Sequence, residues 1–296
     1  MLPQWLESWW SNFGENGKLF LYSVTDENGV VGILPLRVEG ETAYFIGSAN
    51  VCDYMDFIIR EGQETQFFSF ILDNIRSPGI KALELESLRP DSSVLRCLLP
   101  LAKQRGLAVE IQDTDVTLEM PLADNWDEYL ATLSTHQRHE VKRKERRLSE
   151  AGNLVFDIKK SPDIDLELKT LIHQVRISRQ DKAQFMTGAM EDFFNVLAKS
   201  LAEAGFLRIG KLMLGGATVA SVMCFDYNNK RYLYNSGYDP SQASLSVGLL
   251  SKVYSIKDAI EHRMHTYDFL KGAEVYKYHL GGREMPVARC RIELTN

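Results

Sequence analysis

Hydrophobic residues recur along this chain at two spacings, one typical of strands and one typical of helices. Together these spacings predict an α/β fold. The clearest example is the segment 231–277. β-Branched and aromatic runs bounded by Gly and Pro predict strands at residues 231–237 and 266–270. Apolar residues at helical spacing predict a helix at about 248–262 between them. Because a loop of small residues leads into that helix, its N–H groups and the helix dipole would suit an anion.

The rest of the chain alternates in the same way. Asn28-Gly29 predicts a tight turn between the first two strands, because this dipeptide takes the positive φ angles that hairpin turns need. Further strands are predicted at residues 19–24, 29–38, 42–46, 82–85, 108–112, 116–120, 154–159, 206–214, 217–226 and 287–294. Helices are predicted at residues 5–13, 64–75, 95–105, 125–151, 163–180 and 190–204.

Two parts of the chain match each other at a nearly constant distance. Residues 29–48 match residues 217–236 at an offset of 188, and the helix and strand that follow match at an offset of 184. This repeat predicts two related α/β halves, a first domain at residues 1–120 and a second at residues 121–296. The alternative is that any two α/β halves share hairpins of this kind.

Composition narrows the class of protein. The chain has 296 residues, 45% hydrophobic and 25% charged, and its net charge of −6 argues against a protein built as a whole for nucleic acid or an anionic membrane. The four cysteines lie far apart in apolar contexts, which predicts reduced core residues. Because neither a signal peptide nor a run of 18 apolar residues is visible, we expect a cytoplasmic protein without a membrane span.

A strongly basic run interrupts this acidic chain within the predicted helix 125–151. Between His136 and Arg147 there are six Lys or Arg and two Glu, which gives a local charge of +4. Such a run is usually a solvated helix face. The alternative is an anionic partner, such as a cofactor phosphate, an anionic sugar or the acceptor end of a tRNA.

Several familiar catalytic motifs are absent from the sequence. The six histidines include no H-x-x-x-H on a ligand-rich helix, so we expect no metal site. No G-x-S-x-G or G-x-x-x-x-G-K-[ST] occurs, which argues against a hydrolase and against a P-loop kinase.

Three motifs in the second half resemble a known family. They are Y-x-Y-x-x-G-Y-D-P at residues 232–240, S-x-G-L-L at 246–250 and Y-D-F-L-K-G-A-E-x-Y-K at 267–277. Their order resembles the acyltransferase domain of the GNAT superfamily, in the CelD-like or BioF2-like branch related to the Fem peptidoglycan aminoacyltransferases. The resemblance covers roughly the whole chain. It implies twin GNAT-like domains with mixed central sheets flanked by helices, the first of them degenerate.

The resemblance also implies where an acyl-CoA, such as acetyl-CoA, would bind as co-substrate. The pantetheine arm would bind Tyr234, Asn235, Ser236 and Gly237, and the diphosphate would bind Ser244, Leu245, Ser246, Val247, Gly248 and Leu249. The first half has Asp53 and Asp56 at the matching place, where carboxylates would repel a diphosphate. Because the family's Q/R-x-x-G-x-G/A signature is absent, the donor stays open between acyl-CoA and another activated acyl group.

Acyl transfer to an amine needs a group that accepts a proton and donors that stabilise the tetrahedral oxyanion. Asp268, at the end of a buried strand, would have its pKa raised by desolvation and could act as the base; alternatively it caps the next turn. Tyr276 could protonate the leaving thiolate and Lys277 could hold a phosphate or carboxylate, or they are a packed Tyr and a solvated Lys. For the basic run, the resemblance favours a function, with Arg138 and Arg143 as the contacts.

The first hypothesis is therefore an N-acyltransferase that moves an acyl group, most simply acetyl from acetyl-CoA, to an amine. The resemblance suggests an amino sugar of polysaccharide or cell-envelope synthesis as the acceptor. A second hypothesis is a Fem-like aminoacyltransferase that uses aminoacyl-tRNA. A third is a binding protein that keeps the fold without the chemistry.

Overall fold

The computed structural model describes residues 1–76, 79–159 and 164–294, and the chain folds as two compact units. Unit 1 contains Met1–Val116 together with Met285–Asn296, and unit 2 contains Thr117–Glu284. Each unit has a mixed β-sheet with helices, so the predicted α/β class is confirmed. None of the helices within the described ranges is long and apolar enough to cross a membrane.

Most elements lie where the hydrophobic patterns predict them. The helices are α1 (Pro3–Phe13), α2 (Glu64–Asn74), α3 (Leu99–Gln104), α4 (Trp126–Thr132), α5 (Thr135–Glu150), α6 (Ile164–Ser178), α7 (Gln180–Phe185), α8 (Gly188–Glu203), α9 (Val247–Glu261) and α10 (Val275–His279). The strands are β1 (Lys18–Asp26), β2 (Gly29–Glu39), β3 (Thr42–Phe45), β4 (Ile58–Ile59), β5 (Ala82–Leu88), β6 (Val109–Pro121), β7 (Leu154–Lys159), β8 (Leu207–Leu214), β9 (Ala217–Tyr227), β10 (Lys230–Tyr238), β11 (Thr266–Lys271) and β12 (Arg283–Glu293). A π-helical turn at Val94–Leu98 precedes α3, and a 3-10 helix at Pro240–Leu245 precedes α9. Residue 163, where one helix was predicted to begin, lies outside the described residues.

The sheets of the two units repeat one arrangement of strands. In unit 1, the antiparallel strands β1, β2 and β3 are followed by β5, which lies parallel to β3. In unit 2, β8, β9 and β10 are followed in the same way by β11, parallel to β10. The pair Thr42 and Ala82 corresponds to Lys230 and Thr266, which lie 188 and 184 residues later. The structure therefore reproduces both offsets of the sequence repeat.

The next strand in each sheet comes from an unexpected part of the chain. The last strand, β12, pairs with β5 in unit 1, for example through Cys290 and Leu85. The end of β6 pairs with β11 in unit 2, for example through Met120 and Tyr267. The span predicted for the second domain, 121–296, thus differs from unit 2, which ends at Glu284. Residues 108–112 and 116–120 form one strand, β6, and not the two that were predicted.

The predicted basic helix 125–151 is wrong as one element, because the chain breaks between α4 and α5. Leu133 has extended backbone angles, and Ser134 caps α5. The Ser134 hydroxyl accepts a hydrogen bond from the Gln137 N–H, and the Gln137 side chain accepts one from the Ser134 N–H. This reciprocal cap satisfies two N–H groups that a helix start leaves without partners, so it favours a new helix at this position.

A buried arginine holds the sheet of unit 2 to α9. Arg231 on β10 is 1% exposed and donates two hydrogen bonds to the Asp226 carboxylate, at 2.8 and 2.9 Å. It donates a third, of 2.6 Å, to Asp258 on α9. Because these carboxylates satisfy the guanidinium, the charge is tolerated inside the unit.

Candidate active site

The parallel strands β10 and β11 part at the centre of unit 2. Their pairing runs from Lys230 and Thr266 to Tyr232 and Asp268 and stops there, although both strands continue. On its other side β10 stays paired with β9 as far as Tyr238, with an irregularity between Leu233 and Asn235. Beyond Tyr232, the edge of β10 that faced β11 has therefore lost its neighbouring strand. A ligand with amide groups could pair with such an edge.

Two glycines that were predicted to bind a cofactor are needed for close packing at this place. A Cβ atom on Gly237 would lie 2.3 Å from the Val175 N atom of α6. A Cβ atom on Gly248 would lie 2.8 Å from the ring of Tyr238, the last residue of β10. Both glycines thus let a helix approach the end of β10, and their contact with a cofactor stays a prediction.

Several N–H groups of the loop between β10 and α9 donate hydrogen bonds to acceptors within the same loop. Asp239 accepts a bond from the Ser241 N–H, and Ser246, in the left-handed region with φ of 58°, donates to Ala243 O. The N–H of Leu249 donates back to Ser246 O. Val247 and Gly248 supply the first two N–H groups of α9, which have no acceptor within the helix. These two amides are the anion donors that the loop offers, and they lie inside the predicted stretch 244–249.

Asp268, the predicted base, is completely buried at the end of β11. Its Oδ1 atom accepts a 2.8 Å hydrogen bond from the N–H of Leu270, which has a φ of 60°. This contact corresponds to the alternative interpretation, in which the carboxylate stabilises the turn that follows the strand. A role for Asp268 as base stays a prediction.

Lys277, predicted to hold an anion, is neither solvated nor available to one. It is 2% exposed, and its ammonium donates to the carbonyls of Leu270, Lys271 and Gly272 at 3.1, 2.6 and 3.0 Å. It also forms an ion pair of 2.9 Å with Glu274. Because an ammonium has three protons, these acceptors use all of them. In this arrangement Lys277 fixes the turn after β11.

Tyr276 lies on α10 against the end of β11. Its ring contacts that of Phe269, and the Lys252 Nζ atom lies 5.2 Å from its ring centre. Burial raises the pKa of the Tyr276 hydroxyl well above its usual range. The phenol therefore stays protonated at neutral pH, and its role as proton donor stays a prediction.

Two lysines at this site were missed by sequence analysis. Lys182 on α7 donates a 2.5 Å hydrogen bond to Ser236 O on β10, and Lys252 on α9 donates one of 2.7 Å to Gly248 O. Burial, and then the charge of Arg179, lower the pKa of Lys182 to about 8. Burial, and then the charge of Lys182, lower that of Lys252 to about 7. The available signal was the position of Lys252 among the apolar residues of α9.

The basic helix α5 packs beside α9 and the 3-10 helix. Arg143, one predicted contact, is held by Glu140 through bonds of 2.8 and 2.9 Å, and these lower the pKa of Glu140 to about 2. Arg138, the other, is half-buried, and its guanidinium has no hydrogen bond or ion pair with any residue that the structure describes. Arg138 is thus the better placed of the two for an anion.

The sequence predicted no metal site, and four reduced cysteines. In the part of the chain that the structure describes, no group of three or more His, Cys, Asp and Glu side chains is arranged to hold a metal ion. Cys52, Cys97, Cys224 and Cys290 are free thiols.

This chain is similar to one family model and to several solved structures. Residues 135–278 match the family model described as "Acetyltransferase (GNAT) domain". None of the curated proteins compared with the chain matches it. Among solved structures, FemX is similar with a TM-score of 0.69 at 13% identity, covering 98% of this chain and 90% of FemX.

Two further structures share the fold. L-PGS from Bacillus licheniformis has a TM-score of 0.58 at 11% identity, with 100% of this chain and 92% of that one covered. A tandem GNAT protein from the clavulanic acid biosynthesis pathway has a TM-score of 0.50 at 12% identity, with 95% and 85% covered. Residues 135–278 thus match an acetyltransferase (GNAT) domain, and the chain has a fold similar to that of FemX.

Proposed function

We propose that unit 2 transfers an acyl group from an acyl-CoA, in the first instance acetyl-CoA, to an amine. The observation that carries this proposal is the parting of β10 and β11 after Tyr232 and Asp268, inside a GNAT domain. The amide groups of a pantetheine arm can pair with the edge of β10 that β11 leaves, and the thioester would then lie near the ends of both strands. The Val247 and Gly248 amides at the start of α9 would receive a phosphate of the same donor.

The chemistry at the strand ends follows from the groups that lie there. The attacking amine must lose a proton, and the leaving thiolate must gain one. Tyr276 is the proposed donor of the second proton, because its phenol is buried and stays protonated. Asp268 remains the proposed base, although one of its oxygens accepts a bond from Leu270. An amino sugar remains the proposed acceptor, supported by the family resemblance.

Calorimetry with acetyl-CoA tests the donor. We expect saturable binding, and absence of binding at near-millimolar acetyl-CoA would overturn the acyl-CoA proposal. Turnover with a panel of amines then tests the chemistry, with Tyr276→Phe expected to lower kcat by about 10²–10⁴-fold, the usual contribution of an acid or base. Binding of acetyl-CoA without turnover of any amine would instead indicate the non-catalytic binding protein.

A second candidate is aminoacyl transfer from aminoacyl-tRNA, as in the Fem enzymes that the sequence resembles. The observation in its favour is α5, which brings a basic face and the unpaired Arg138 beside α9 and the 3-10 helix. Retention of tRNA by the purified protein would support it, with a steep dependence on salt. We expect Arg138→Ala to weaken retention more than Arg143→Ala, since Glu140 already holds Arg143. Equal losses would show that the helix acts only through its net charge.

A further inference from the structure

Lys182 and Lys252, here called the lysine pair, are two amines that form no ion pair with a described carboxylate. Lys252 is 7% exposed and Lys182 is half-buried. Neither forms an ion pair with any carboxylate that the structure describes. Transfer of an unpaired ammonium out of water is costly, so buried charges are normally paired with a counter-charge.

Two ion pairs lie beside the lysine pair. Arg179 forms a two-bond ion pair with Asp181, at 3.0 and 2.6 Å. Lys277 forms one with Glu274 at 2.9 Å. Because Asp181 and Glu274 each pair with another cation, neither serves as the counter-charge of Lys182 or Lys252.

The hydrogen bonds of the lysine pair are also incomplete. Each ammonium donates to one carbonyl, Ser236 O for Lys182 and Gly248 O for Lys252. Each therefore keeps two N–H donors that no described residue accepts. Lys277, in the same cluster, has four oxygen acceptors instead. The contrast separates a lysine that holds the fold from two that have room for a ligand.

The carbonyls to which the pair is attached place it at the reacting end of the site. Ser236 lies on β10 beyond the point where β11 parts from it, and Gly248 lies in the first turn of α9. The Lys252 ammonium also faces the ring of Tyr276, the proposed proton donor. A group bound by the lysine pair would thus lie beside the atoms that react.

We propose that Lys182 and Lys252 bind an anionic oxygen group of the substrate, a carboxylate or a phosphoryl group, close to the site of acyl transfer. This inference rests on the proposed function, because that function makes the bound anion part of a substrate. It adds that one of the two reactants carries a negative charge near its reacting end. Charge-assisted bonds to two ammonium groups are strong in a buried site, so the anion would contribute both affinity and orientation.

Calorimetry and thermal unfolding with inorganic phosphate and with acetate test this site without any turnover. We expect one of the two ions to bind wild-type protein saturably and to raise its melting temperature as its concentration rises. We expect Lys182→Met and Lys252→Met each to weaken that binding at least about tenfold, which corresponds to one charge-assisted hydrogen bond. Lys169→Met, on the exposed part of α6, is the matched control and should bind as wild type.

The outcomes separate this inference from the proposed function. The inference is wrong if neither ion binds wild-type protein, or if both Met variants bind it unchanged while circular dichroism shows them folded. Lys182→Arg keeps the charge and should keep the binding, so loss in that variant as severe as in Lys182→Met would also contradict it. If phosphate binds through the lysine pair but acetyl-CoA does not bind at all, the proposed donor fails and the anion site stands. Competition between phosphate and acetyl-CoA assigns the anion to the donor, and independent binding assigns it to the acceptor.

Discussion

In both units the pairing of two parallel strands stops part-way, but the chain that follows the first strand takes a different course in each. In unit 1, β3 and β5 are paired from Thr42 and Ala82 to Tyr44 and Glu84, and their pairing then stops, as it does between β10 and β11. The chain that follows β3 returns at once to β5, where the Met55 N–H donates a 2.9 Å bond to Ser87 O. In unit 2 the corresponding chain moves away into the 3-10 helix and α9.

The returning segment of unit 1 is packed as core. Val51, Cys52 and Met55 are at most 3% exposed, and the ring of Phe57 packs edge-on against that of Phe45 at the end of β3. The segment therefore fills the space beside β5 that β3 leaves. The comparison teaches that two sheets with the same strand order can differ in what lies between their parted strands.

This contrast refines the sequence argument about the first half. Asp53 and Asp56 were expected to repel a diphosphate there. Asp56 instead turns inward and accepts hydrogen bonds of 2.7 and 2.6 Å from the N–H and hydroxyl of Ser93, while burial raises its pKa. Occupation of the gap by the chain is the more direct reason to propose that unit 1 is degenerate.

The largest effect that we expect concerns the framework of unit 2. Arg231 has the buried Ala43 as its counterpart in unit 1, so the charged network belongs to unit 2 alone. Arg231→Met would leave Asp258 without its guanidinium and Asp226 paired with Arg208, at a cost of about 3–5 kcal/mol in the free energy of unfolding. Urea denaturation measures this loss. Arg146→Met, on the exposed face of α5, is the control, and an Arg231 variant with the wild-type midpoint would show that the network adds no stability.

The filled gap of unit 1 gives the second prediction. Met55→Ala would open a cavity beside β5 and lower the free energy of unfolding by about 2–5 kcal/mol, as buried Met to Ala changes do. Affinity for acetyl-CoA, measured by calorimetry on the folded variant, should stay at the wild-type value. A large loss of affinity would mean that unit 1 takes part in donor binding, and the comparison between the units would have to be redrawn.

The gap between β10 and β11 in unit 2 gives the third prediction, in which acetyl-CoA affinity should change. In Gly248→Ala, the new methyl group would lie 2.8 Å from the Tyr238 ring and push the start of α9 from β10, at about 1–3 kcal/mol of overpacking. We expect acetyl-CoA affinity to fall by roughly tenfold through the displaced amides. Gly188→Ala is a suitable control, because a Cβ atom there meets nothing within 4 Å. Unchanged affinity in Gly248→Ala would remove the α9 amides from the donor site.

The last prediction is a pH dependence that sharpens the role of the lysine pair. Because burial, and then Lys182, lower the pKa of Lys252 from 10.5 to about 7, the unfolded chain binds a proton in this window that the folded chain does not. Stability should therefore rise with pH between about 7 and 10.5. Lys252→Met should reduce that rise, leaving the part due to Lys182, whereas Lys169→Met should not. Thermal unfolding at a series of pH values would show the difference, and equal profiles would contradict the depressed pKa.

Local patterns were sufficient for most of the fold. The 188-residue and 184-residue offsets predicted that the two units share one arrangement of strands. Such a repeat is visible in the sequence because each strand has its own hydrophobic alternation. The break at Leu133 and Ser134 was missed because polar residues continue through it, although the Ser134 and Gln137 cap was visible in the letters. The partners of β6 and β12 depend on contacts between distant segments, which no local pattern contains.

The site was less accessible from the sequence than the fold. The structure brings the motif residues Asp268, Tyr276 and Lys277 together beside the parted strands, and their roles stay predictions. Their chemistry depends on burial and on individual partners. Lys277 is saturated by carbonyls, and Lys252 is not. Both are plain lysines in the sequence, so only the three-dimensional arrangement distinguishes them.

The place of β12 has a consequence for the order in which the molecule can form. Unit 1 is closed by a strand that the ribosome makes after all of unit 2. Until those residues emerge, the edge of β5 has unpaired N–H and C=O groups, which favour association with other chains. Unit 2 needs only β6 from upstream and can finish earlier. We therefore expect unit 2 to mature first during synthesis, and unit 1 to wait for β12.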